Sequence, residues 1–156
     1  MPAYPLLSAV GTGRVVDPTY LDRPAVLICF GQATRSSAEA VEQAVRQRFP
    51  AAEVLVGHVV DLRSVPRMLR GFAESVLRAE FEKAVRELPP GETPEEGVVI
   101  LPDWEGAFAA ALAFEDVNQR PGVAVFAAGQ LVGSAHADDI VAPCLALLEQ
   151  ALSRPD

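Results

Sequence analysis

Lysine is almost missing from this chain: Lys83 is the only one, and every other cation is an arginine. We read that as a compositional bias before a functional one. Cations are also outnumbered, 13 against 21 carboxylates, for a net charge of −8. Nucleic acids and anionic membrane surfaces both need clustered cations, so neither is an expected partner. Only two cysteines are present, Cys29 and Cys144. That excludes a disulfide framework and a zinc-binding spacing, and makes a reducing, cytoplasmic setting the default expectation. No apolar run reaches the roughly 18 residues of a membrane span. The start, MPAYPLLSAVGTGR, lacks a basic segment and an apolar core, so no signal peptide is expected. H-E-x-x-H, a phosphate loop and a defensible Ser-His-Asp spacing are all lacking. Gly11 and Gly13 lack a third glycine and a strong preceding strand, so they do not make a nucleotide loop.

What is present is a globular composition. Half of the 156 residues are hydrophobic and 22% are charged, enough for one domain with a real core. We take residues 1–156 as a single domain, with 1–22 an irregular lead-in holding at most one edge strand and 23–152 the core. AVLICF (25–30) is an apolar run of strand length, read as a central strand buried on both faces. Ser36 and Glu39 fit a capping box for a helix that Pro50 stops. Residues 53–62 form a second buried strand, in which His58 reads as a packed or edge residue rather than a ligand or base. Residues 64–88 read as a long helix. Leu69, Phe72, Val76 and Ala79 form its apolar stripe, which Phe81, Val85 and Leu88 extend. PPGETPEEG is a loop and GVVILPD a third strand. A short helix follows, with Asp103 as its N-cap and Trp104 packing in its first turn. VNQRPGVAVFAAGQLVG (117–133) reads as a β-hairpin entered through Pro121, which cannot donate to a ladder. Asp138 or Asp139 caps a last helix that carries Pro143 near its first turn. Residues 154–156 read as a frayed tail. Strands alternating with helices imply right-handed crossovers and a parallel core, with the hairpin adding antiparallel strands. The predicted architecture is a mixed, three-layer α/β sandwich.

RPGVAVFAAGQLVG is similar to the thioredoxin pattern of a cis-proline, an apolar strand, a glycine turn and a second strand. Over residues 23–152 the chain resembles thioredoxin-like proteins, in the redoxin branch that includes peroxiredoxins. The resemblance implies that Pro121 is the cis-proline. It places Thr34 and Ser37 where the two cysteines of C-x-x-C would stand, and Ile28 where thioredoxins carry a buried acid. A hydroxyl stays protonated near neutral pH and forms no disulfide, so dithiol exchange at this site is not expected. The peroxiredoxin pattern P-x-x-x-T-x-x-C fares similarly: Thr34 and Arg120 match, whereas Phe30 replaces the proline and Ser37 the peroxidatic cysteine.

Three functions follow from that resemblance. The first is a non-catalytic binding or assembly module, gripping extended polypeptide beside Pro121; a protein partner is expected and a catalytic residue is not. The second is a small-anion site formed by Thr34, Ser36, Ser37 and Arg120 at a helix N-terminus, set against Arg120 merely pairing with Asp116. The third is a redox enzyme using Cys29, Cys144 or a partner's cysteine. Against it, both thiols read as buried in apolar elements, and a mutual disulfide is the lesser alternative. No metal or cofactor is expected; His136 near Asp138 and Asp139 reads as a solvated turn. The long helix is compatible with a homodimer contact.

Overall fold

Six apolar residues without a break leave a strand no polar side to show to water, and the strand Ala25–Phe30 (β3) is buried along its whole length. It sits at the centre of a five-stranded sheet. The structure is a computed structural model and describes residues 4–153; the tail at 154–156 and the first three residues of the lead-in lie outside them. The lead-in holds two short paired strands, Leu7–Ser8 (β1) and Val15–Val16 (β2), two where one at most was expected. Its Ala9 and Val16 join the core.

From β3 the chain passes through helix α1 (Arg35–Arg48) to β4 (Leu55–Asp61), through α2 (Arg70–Arg86) and the short α3 (Pro94–Gly97) to β5 (Val99–Asp103), and through α4 (Ala107–Ala111) to the hairpin of β6 (Gly122–Ala127) and β7 (Gln130–His136). Helix α5 (Val141–Leu152) ends it. The sheet order is β5-β4-β3-β6-β7. β3, β4 and β5 are parallel, and β6 and β7 are antiparallel to their neighbours. The turn of the hairpin puts both Ala128 (φ 52°) and Gly129 (φ 79°) in the left-handed region, the conformation that matches strand twist in a two-residue hairpin.

The two faces of the sheet are packed differently. One carries α4 and the lead-in, with Leu27, Cys29, Val59, Phe108 and Phe126 among its core. The other carries α1 and α5 over Val26, Ile28, Val123 and Val125, and α2 over Leu62, Val98 and Ile100. α1 presents Ala38, Val41 and Val45 to the sheet, all buried.

Helix α2 departs from the sequence reading. It begins at Arg70, after a 3₁₀ turn at Arg67–Leu69. The stripe of Leu69, Phe72 and Val76, expected to be core, faces outward, and Phe72 is 71% exposed. The inward face is Leu77, Phe81, Ala84 and Val85. A helix hydrophobic on two sides can bury only one against a single sheet layer. The start of α1 also differs: Thr34, not Ser36, stands at its N-cap, and Glu39 reaches Arg35 (3.5 Å) instead of closing a capping box.

Candidate functional site

The turn after β3 is held by side chains reaching backbone. Thr34 is 6% exposed. Its Oγ1 donates to the Val117 carbonyl (2.7 Å) and accepts from the Gly31 amide (3.0 Å). Next to it, the Ala33 amide donates to Asn118 Oδ1 (2.9 Å). A Cβ on Gly31 would fall 2.3 Å from that same oxygen, so the close approach requires glycine there. Residues 31–34 are thus clamped to the loop that leads into β6. A satisfied, buried hydroxyl is a tie rather than a reactive group.

The other predicted site residues lie apart. Ser36 is exposed and Ser37 half-buried on the first turn of α1. Arg120 is exposed and its Nε pairs with Asp138 (3.4 Å), not with Asp116. Its carbonyl meets His136 Nε2 (3.1 Å), and the His136 ring packs against Phe114. Thr34 and Arg120 therefore point to different partners. Pro121 is buried, and among the described residues every peptide bond is trans. The expected cis-proline is corrected accordingly. Asp116 accepts from the amides of both Gln119 and Arg120, a turn that delivers the chain to β6 with proline in its ordinary, lower-energy isomer.

Both thiols are free and buried. Burial pushes Cys29 well above the ordinary thiol range, with Asp103 and Asp61 adding to it. Burial pushes Cys144 up to about 12. They belong to cores on opposite faces of the sheet. The N-cap of α4 is Gly106 rather than the expected Asp103, and Trp104 precedes the helix; Asp103 still accepts from the first-turn amides of Ala107 and Phe108 (3.0 Å each). Burial nevertheless raises its carboxyl.

The region also contains features with no motif in the sequence. A groove of about 700 Å³ opens at the carboxyl ends of β3 and β4. Its floor includes Phe30, Val60 and Leu62, and its wall is the outward face of α2 with Leu69, Phe72 and Val76. A second cleft, about 420 Å³, continues between α1 and α2. Arg35 bridges the two helices by pairing with Glu80 (2.5 Å) and lines both cavities. Inside the second cleft, His58 Nε2 meets Glu42 Oε2 at 2.7 Å, and Phe30 stands edge-on to the imidazole. Burial acts to raise the Glu42 carboxyl, but the His58 hydrogen bond and charge, with the Arg46 charge, outweigh it and hold it below the usual range. One signal could have found the pair: Val56, His58 and Val60 share a strand face turned to a helix, and a polar group there needs a partner.

No protein-family model and no curated protein matches the chain. Solved structures do. A thioredoxin-like superfamily protein, SPOA0173, superposes with a TM-score of 0.66 at 14% identity, covering 97% of this chain and 96% of that one. The chain has a thioredoxin-like fold. A thiol-disulfide isomerase from Corynebacterium glutamicum (TM-score 0.61, 15% identity, 97% of each chain) and a putative electron transfer protein from Aquifex aeolicus (0.65, 10%, 96% and 94%) share that thioredoxin-like architecture. At such identities the likeness is one of fold alone. Among the described residues no helix is long and apolar enough to cross a membrane.

Proposed function

We propose that this chain is a non-catalytic thioredoxin-like binding module, acting in a reducing compartment such as the cytoplasm, and that its groove under α2 takes an extended, apolar polypeptide segment. The observation that carries this is a pairing of opposites at one end of the sheet. Where a redox relative would place thiols, Thr34 is spent on backbone bonds and both cysteines lie buried elsewhere. Beside that turn, Leu69, Phe72 and Val76 stay exposed above Phe30, Val60 and Leu62, in a groove whose rim also carries Arg35, Asp61, Arg63 and Glu80. Exposed apolar surface next to a preformed groove marks recognition sites. The thiolate is the nucleophile in dithiol chemistry, and buried thiols with raised pKa do not supply it.

The test has two arms. Native protein treated with a thiol reagent is expected to react at neither cysteine until unfolded; rapid labelling of Cys29 or Cys144 would restore the redox reading. A random-peptide display selection on the native protein is expected to enrich sequences with bulky apolar anchors. Their binding should fall at least tenfold in Val76→Glu, and peptides indifferent to that change would remove the groove as the site.

A further inference from the structure

The two edges of the sheet are finished differently. The β5 edge is covered by the lead-in, whose Val10 amide donates to the Ile100 carbonyl (2.9 Å). The β7 edge carries no backbone bond of that kind among the described residues. Folds guard a free edge with charge, proline or a bulge, because its unpaired amides and carbonyls template another strand. β7 has the sequence QLVGSAH, with neither proline nor a formal charge. Its one irregularity, a register shift that leaves Val132 unpaired, falls in its first half. Residues 133–136 continue in regular register. The turn end of the hairpin lies near the Thr19 carbonyl, and among the described residues no turn or loop backbone bond reaches residues 133–136.

The surroundings say what fits there. From Pro121 to Leu148 the only formal charges are Asp138 and Asp139, in a chain that is 22% charged with a net charge of −8. Two copies meeting along residues 121–137 bring no formal charge of that stretch against its own copy. In an antiparallel self-pair, identical segments run side by side, and like charges opposite one another are destabilising. Gly133, Ser134 and Ala135 supply none, and they are small enough for close approach. A strand pair alone falls short of the roughly 1,200 Å² of a specific interface. Helix α5 adds a second layer: it lies over β7, with Leu147 against Gly133, and Ala142, Ala146 and Leu152 are exposed on it.

From this edge and its missing charge we propose that the protein is a two-fold homodimer, joined by antiparallel β7–β7 pairing near Ser134 into one continuous sheet. The interface is isologous. It leaves α2 and its groove free on both copies, so it stands independently of the peptide-binding reading and sets α2 aside as the dimer contact.

Sedimentation of the purified full chain tests this. Wild type is expected to be a dimer, Ser134→Glu and Ser134→Lys each a monomer, and an equimolar mixture of the two variants a dimer again. That recovery is one a merely misfolded variant could not show. Phe72→Ser is expected to leave the dimer intact. A wild type that stays monomeric at its highest soluble concentration would overturn the proposal. So would a dimer that survives Ser134→Glu, or one lost only in Phe72→Ser.

Discussion

Helices α1 and α2 do the same topological task, each linking two parallel strands on the same face of the sheet, yet they are built for different ends. α1 inserts Ala38, Val41 and Val45 completely into the core. α2, three residues longer, has one buried residue, Leu77, and leaves Phe72 and Val76 exposed. Folding alone explains the first helix. It does not explain the second, since each exposed apolar side chain forgoes the ~25 cal/mol per Å² that burial would return. The contrast separates a structural crossover from one whose outward face suits the proposed recognition surface.

The largest expected effect tests the structural side. Val41→Ala removes two methyl groups from a fully buried position and should cost about 2–3 kcal/mol. Val76→Ala, the matching change on the outward face of α2, should stay within about 0.5 kcal/mol. Chemical denaturation of the pair measures both. Equal losses would mean that α2 is core after all.

Next in size is the clamp at the start of α1. Thr34→Val keeps the shape but strands the Val117 carbonyl and the Gly31 amide. Losing partners for buried groups costs about 1–3 kcal/mol, or about 2–4 °C of melting temperature per kcal/mol in a chain of this size. A Thr34→Val protein as stable as wild type would mean that the hydroxyl is idle in the fold and free for another role.

A smaller, pH-dependent effect comes from the Glu42–His58 pair, which fixes α1 to β4. The folded carboxyl is held below its ordinary value, which is about 4.3 for an unfolded glutamate. The sign follows from that: its stabilisation is complete above the unfolded pKa and is lost as pH falls through the lower, folded one. Wild type should therefore lose stability more steeply below about pH 4.3 than Glu42→Gln does, with the two curves converging in acid. Parallel curves would show that the contact does not contribute.

The same contrast explains what could be read before folding. AVLICF announced a two-sided central strand, and VAVF, the glycine turn and LVG announced the hairpin, because local pattern and tertiary environment agree there. On α2 they conflict. Leu69, Phe72 and Val76 have the spacing of a core stripe, and periodicity cannot say which of two apolar sides finds the sheet. The role of Thr34 was hidden for another reason: its partner lies 83 residues away in the chain. Its hydroxyl could be recognised as a cysteine replacement but not as a tie. Pro121 was legible as the entry to a strand, whereas local pattern does not say which isomer it takes.

Phe72→Ser should change stability least, and it sharpens the comparison most. With 71% of the side chain in solvent, its removal should shift the melting temperature by no more than about 1–2 °C, within the ±0.5 kcal/mol of a surface change. The same substitution strips the groove wall of its largest apolar group, so peptides selected on the wild type should bind at least tenfold more weakly. Apolar side chains clustered beside a groove, where folding does not use them, fit the proposed partner surface. A Phe72→Ser protein that both melts early and keeps its peptides would reverse the assignment, making α2 the structural helix and leaving the groove without a function.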